Sequence, residues 1–146
     1  MRLLPSQSAE PRLSTLASRP FEAVSLDLGK QDGTWHLILA DRYSGWPNVK
    51  PLTRGMDTKA VTDILEDWFT DLGKPERIRT DGGPQFRSEF KVWCKAQNII
   101  HELSSAYHHE SNGHAEVAVR DMKHLLEKTS TWKNFKKALM EYRNTP

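Results

Sequence analysis

A single cysteine, Cys94, stands among 146 residues. An intrachain disulfide is therefore impossible, and no cysteine-based zinc site can be completed. Cys94 reads instead as a small buried apolar residue on a helix. Long apolar runs are missing as well. The longest useful ones, such as Leu37-Ile38-Leu39-Ala40, suit a buried strand and fall far short of a bilayer span. No charged-then-apolar leader opens the sequence, so secretion is not indicated and no membrane partner is expected. There is no internal repeat, no low-complexity tract and no obvious nucleophile triad.

What is present is a chain with 37% hydrophobic and 27% charged residues, the make-up of one globular domain able to bury a core. Its net charge of +2 is unevenly spread. Residues 1–73 carry 8 Lys/Arg against 10 Asp/Glu, whereas residues 74–146 carry 13 against 9 and hold five of the six histidines. A basic second half suits a polyanionic partner.

Residues 1–20 read as a linker, with Pro5, Pro11, Pro20, several serines and no periodicity. From Phe21 the pattern is one of strands. Residues 22–29 alternate, Val24, Leu26 and Leu28 on one face against Ser25 and Asp27 on the other. A hairpin turn at Gln31-Asp32-Gly33 leads to a more buried strand at 34–41. A short strand at about 46–52 follows, and Pro47 and Pro51 place it at an edge. The first clear helix runs from Thr58 to Leu72, capped by Asp57 and stopped by Gly73. Then come a strand at Arg77–Thr80, a helix at about Ser88–Gln97, a strand at Ile99–Leu103, a polar loop at 104–112, and helices at about Gly113–Lys128 and Thr131–Tyr142. This order describes a mixed α/β layer, hairpins first and a crossover later. A ribonuclease-H-like domain has it, and several other α/β folds fit nearly as well.

Three acids stand out. Asp27 interrupts an apolar strand, where an unpartnered carboxylate would be too costly. Asp81 leaves a strand into Gly82-Gly83, the carboxyl edge where α/β sheets commonly display carboxylates. Glu116 falls in the first turn of a helix, where the dipole favours its ionised form. Singly, each has a plain structural role as turn cap or helix stabiliser. Together they can converge on divalent cations, which would offset their mutual repulsion. On the Glu116 helix, Ala115, Ala118, Met122, Leu125 and Leu126 form one apolar face for the sheet. Glu116, Arg120, Lys123 and Glu127 lie opposite, so both bases sit beyond the acid and are suited to phosphates. A solvated face with a Glu116–Arg120 ion pair is the alternative.

Three stretches carry a specific resemblance. They are Val24-Ser25-Leu26-Asp27-Leu28 with Asp41-Arg42-Tyr43-Ser44-Gly45-Trp46-Pro47; Arg79-Thr80-Asp81-Gly82-Gly83-Pro84-Gln85-Phe86; and the block from Ser105 through Tyr107, His108, His109, Glu110, Ser111, Asn112 and Gly113 to Glu116. With Glu141-Tyr142-Arg143-Asn144-Thr145-Pro146, they resemble the integrase core of Ty3/gypsy-type retrotransposons and their retroviral relatives. The resemblance runs from about Arg19 to the end. It implies a ribonuclease-H-like mixed five-stranded sheet, an antiparallel meander plus parallel strands, flanked by helices. It carries the D,D-35-E triad onto Asp27, Asp81 and Glu116 as catalytic and metal-holding residues, with two Mg²⁺ or Mn²⁺ ions. It makes Asp41 structural. It assigns DNA contacts to Arg120, Lys123, Tyr107, Ser111 and Asn112, the partners being element ends and target DNA, and implies a homodimer or higher oligomer in the nucleus. Residues 1–20 would join a missing N-terminal zinc module to a core at 21–146, any truncation falling in its C-terminal helix. A surplus of apolar residues at Trp132 and Phe135 could serve a dimer or, more simply, the core.

The pattern also departs from the family. Only 34 residues separate Asp81 from Glu116, one short of the usual spacing. The family's Tyr-His-Pro-Gln reads Tyr107-His108-His109-Glu110, which frees the loop and adds an anion. Two alternatives to an active strand transferase therefore stay open: a domesticated integrase core kept for nucleic-acid binding, and a hydrolytic ribonuclease-H-like nuclease. Zinc held by the histidines finds no repeated spacing to support it.

Overall fold

Strand β1 (Ala23–Gln31) has buried residues on both faces, and that makes it the middle of the sheet. The computed structural model describes residues 16–104 and 113–145. In it β1 pairs antiparallel with β2 (Thr34–Asp41), and β2 antiparallel with β3 (Pro47–Pro51). Strand β4 (Arg77–Thr80) runs parallel to β1, and β5 (Ile100–Leu103) parallel to β4. The order β3-β2-β1-β4-β5 is the mixed five-stranded sheet that the resemblance implies.

Local chemistry explains each join. Asp32 and Gly33 take φ of 47° and 88°, the paired left-handed residues that a two-residue hairpin needs to match strand twist. Both prolines of β3 sit on the sheet's edge, where a missing N–H breaks no inner ladder. Asp57 caps helix α1 (Thr58–Leu72) by accepting from the Ala60 N–H, and Gly73 closes it at φ 89°.

The pleat then sends alternate residues to opposite layers. Val24, Leu26, Leu37 and Leu39 pack against Val61, Leu65 and Trp68 of α1 and against Phe90 and Cys94 of α2 (Ser88–Ala96). Burial pushes the Cys94 thiol up to about 12, so it stays a neutral core group. On the other face Ile38 and Val49 meet Met122 and Leu126 of α3 (His114–Lys128) and Phe135 and Leu139 of α4 (Trp132–Arg143). Phe135 is wholly buried and stacks on Trp132 at 5.3 Å, so these aromatics are core. Gln31, at the end of β1, donates to Thr129 Oγ1 and to the Thr131 carbonyl, tying the α3–α4 turn to the sheet.

α3 packs closely over Gly29. A Cβ there would come within 2.8 Å of Leu126 Cδ1 and 3.0 Å of Ile38 Cδ1, so those side-chain ends would have to shift to admit one.

Three boundaries differ from the sequence reading. β1 starts at Ala23 and runs on to Gln31, which the sequence placed in the turn. A 3-10 turn at Pro84–Phe86, burying Phe86, precedes α2; three residues are too few to show a period. Asn98, at φ 61°, turns the chain after α2, so β5 starts at Ile100 rather than Ile99. Among the described residues no helix is long and apolar enough to cross a membrane.

Candidate active site

The three acids come from three elements. Asp27 lies on the β1 face that α3 covers, Asp81 directly follows β4, and Glu116 is in the first turn of α3. Because β4 runs parallel to β1 and α3 lies over β1, all three line one open cavity of about 310 Å³. Ser25, Arg79, Arg120 and Lys123 share its walls. A larger cavity, about 560 Å³, lies between the Ser44–Pro47 turn and the ends of α3 and α4. Its one acid among the described residues, Asp121, already accepts from Tyr142 Oη at 3.0 Å. Convergent polar groups, not size, mark the smaller cavity as the site.

Charge pairing inside it is specific. Lys123 Nζ stands 2.8 Å from Asp27 Oδ2, while Asp27 Oδ1 accepts the Leu28 N–H. Arg79 Nη1 approaches Glu116 Oε2 at 3.5 Å. Asp81 accepts the Gly83 N–H at 2.9 Å and is exposed, with no basic partner among the described residues. Behind Arg79 runs a buried ionic chain. Glu102 is 2.9 Å from Arg42, 3.7 Å from Arg77 and 3.8 Å from Arg79, and Arg77 reaches Glu22. Burial, then the neighbouring Arg79 charge, lower the Arg42 pKa, and Glu102 and Glu116 oppose them. Arg79 is therefore a fixed internal cation, its side chain 9% exposed and shared between two carboxylates.

These contacts revise the sequence reading in two places. The ion partner of Glu116 is Arg79, not Arg120, which lies near Asp121 instead. Glu116 and Lys123 are half-buried at the border of the apolar stripe, because α3 presses its flank as well as its face onto β1. Arg120 remains exposed, as expected of a base free to meet a ligand. Asp41 is buried and structural: it accepts from the backbone N–H groups of Phe21, Tyr43 and Ser44 and from Ser44 Oγ. Tyr107, Glu110, Ser111 and Asn112 lie outside the described residues, as do residues 1–15 of the expected linker.

Sequence reasoning missed Arg79 and Ser25. Both stand two residues before an acid of the triad, so strand alternation turns them to the same face, and they are register partners across β1 and β4. Ser25 Oγ is buried without a hydrogen-bond partner among the described residues, although it lines the cavity. An orphaned hydroxyl beside three carboxylates, with no sulfur nearby, is a donor set that fits a hard, oxygen-loving cation with its waters. As they stand, no three His, Cys, Asp or Glu side chains of the described residues are gathered tightly enough to hold an ion. Lys123 and Arg79 engage two of the three acids instead.

Comparison with known proteins now decides the family. The integrase core domain model matches residues 17–109, more than half of the chain. The chain belongs to the integrase core domain family. An uncharacterised Caenorhabditis elegans protein is 33% identical over 134 residues, covering 87% of this chain and 10% of its own length. The BIV integrase catalytic core superposes with a TM-score of 0.68 at 17% identity, covering 86% of each chain. The HTLV-2 integrase catalytic core, solved in complex with magnesium in a dimeric form, gives 0.57 at 22% identity, covering 88% of this chain and 79% of its own. At such identities the two structures speak for the fold. The integrase core chain described here spans about a tenth of the length of that curated relative.

Proposed function

We propose that the chain is the catalytic core of a retroelement integrase, performing metal-dependent polynucleotidyl transfer: trimming of element DNA 3′ ends and their joining to target DNA. One observation carries this: Asp27, Asp81 and Glu116 converge on a single open cavity that also holds Arg120 and Lys123. The magnesium bound by the HTLV-2 core supports the choice of cation. Asp27, Asp81 and Glu116 would hold two Mg²⁺ or Mn²⁺ ions, whose chemistry is to sharpen the attacking oxygen and stabilise the leaving one.

The chain's own residues do the positioning. Ser104 bonds the Thr80 carbonyl through both its N–H and its hydroxyl, which fixes the strand end that displays Asp81. Arg79 holds the Glu116 carboxylate over the cavity. Arg120, with its side chain 64% exposed, is placed to meet a DNA phosphate, with Lys123 one turn further along α3. Tyr107, Ser111 and Asn112 belong to this DNA surface in the same proposal. Assembly as a homodimer or higher oligomer and action in the nucleus are part of the same proposal.

The test is a branched DNA mimicking an integration intermediate, incubated with Mn²⁺ and either the wild type or Asp81→Asn. Strand splicing by the wild type, lost in the variant, is the expected result. DNA binding by the wild type without metal-dependent chemistry would overturn it. A binding module would then stand in its place, the reading that permanent Lys123–Asp27 and Arg79–Glu116 pairs would favour. Hydrolysis without joining would assign a nuclease.

A further inference from the structure

We propose that Lys123 is an exchangeable cation: it occupies Asp27 when the cavity holds no metal, and metal binding moves it from that carboxylate to DNA phosphate. The proposal deepens the function above and rests on its assignment of Asp27 as a metal-holding acid.

The two basic side chains paired with the triad differ in kind. Arg79 is wedged beneath the cavity between Glu102 and Glu116 and has nowhere to go. Lys123 reaches Asp27 from above, its side chain 41% exposed, and its ammonium is a compact, hydrated charge on a flexible stem. That stem lies directly over the strand: a Cβ at Gly29 would be in ordinary contact with Lys123 Cγ, at 3.6 Å. Lys123 thus rests on the sheet with its charge on Asp27 and can lift into the open cavity without backbone movement.

The ammonium sits on Asp27 Oδ2, and Asp27 Oδ1 already accepts the Leu28 N–H. A divalent ion held by Asp27 would compete with the ammonium for that carboxylate, and its higher charge would favour it. The displaced ammonium then joins Arg120 on the cavity wall. Metal binding would add a phosphate contact, and DNA, by holding Lys123 away from Asp27, would tighten metal binding by the same factor.

Two measurements on the whole chain test this without reference to turnover. In calorimetric titration with Mn²⁺, Lys123→Gln should bind about two- to fivefold more tightly than wild type, the worth of a partly exposed ion pair. Lys123→Met, which keeps the apolar stem, should do the same, so lost packing is not the cause. Arg120→Gln removes a charge from the same cavity but no contact to the triad, and should gain distinctly less. In a second titration, a short DNA duplex is bound with and without Ca²⁺. The salt dependence of wild-type binding should steepen by about one phosphate contact when Ca²⁺ is present, and that of Lys123→Gln should not. Wild-type Mn²⁺ binding with no gain in Lys123→Gln, or an equal gain in Arg120→Gln, overturns the exchange alone. Failure of the wild type to bind Mn²⁺ at all overturns the exchange and the metal-dependent function together.

Discussion

Gly45→Ala probes the join on which the position of Glu116 depends. Gly45 turns the chain between β2 and β3 at φ 81°, donating its N–H to the Asp41 carbonyl at 2.7 Å. A Cβ there would stand 3.0 Å from His114 Cβ and 3.2 Å from the His114 carbonyl oxygen. Two costs follow. A left-handed alanine costs about 1 kcal/mol, and forcing a methyl against the first turn of α3 adds about 1–3 kcal/mol. The backbone oxygen cannot swing aside as a side-chain end can, so we expect a total of about 2–4 kcal/mol. Gly33→Ala isolates the first cost, since Gly33 has φ 88° and a methyl there would meet nothing within 4 Å. Urea unfolding should therefore show a loss of about 1 kcal/mol for Gly33→Ala and about two to four times that for Gly45→Ala. For a domain of this size each kcal/mol lowers Tm by roughly 3–4 °C. Relief of the clash moves the start of α3, and Glu116 with it, so Mn²⁺ affinity should fall in Gly45→Ala and hold in Gly33→Ala. Equal stability losses in the two variants would refute the close contact between turn and helix.

Other expectations concern buried groups. Asp41→Asn should cost about 2 kcal/mol in urea unfolding, because the new amide group faces donors that the carboxylate accepted. It should leave Mn²⁺ affinity nearly unchanged, since Asp41 has no place in the cavity. His36 is 1% exposed and packs on Trp132, and burial lowers its pKa below the usual 6.5 against the raising effect of the Thr34 carbonyl. The native ring stays neutral where the unfolded one gains a proton, so stability should fall as pH drops below about 6.5, by up to about 1.4 kcal/mol per pH unit. Replacing His36 with Phe should flatten that slope in urea titrations at pH 5–7.5, leaving the share due to His101, which burial also depresses.

Much of this was legible in the sequence because period and punctuation agree. Asp57 and Gly73 bracket α1 as their chemistry dictates, and the alternation of Val24, Leu26 and Asp27 survives as a division between core and cavity. The triad could be placed on a strand, a strand end and a helix start from the motifs alone. The ion pairs could not. Helical spacing puts Arg120 one turn from Glu116, yet Arg79, 37 residues away in sequence, is the partner, because it stands beside Ser25 of β1 and reaches Glu116 across the cavity they share. Lys123 likewise meets Asp27 where α3 packs onto β1 over Gly29, a tertiary contact that no local pattern records.

Charge balance shows why one side chain, not the backbone, would answer to the state of the site. Among the described residues the three carboxylates in the cavity face three cationic side chains, Arg79, Arg120 and Lys123, so their formal charges cancel. Two divalent ions entering that wall would leave it strongly positive, a state that a polyanion stabilises and water alone does not. Either a carboxylate or a base must then change partners. The carboxylates are constrained: β1 and β4 are locked through the Ser25–Arg79 register, and α3 is pinned by Met122 and Leu126. Arg79 is held by Glu102. Arg120 touches none of the three acids and has nothing to release. Among the described residues only Lys123 combines a triad contact with an exposed, flexible stem, so the burden of coupling metal to DNA falls on it.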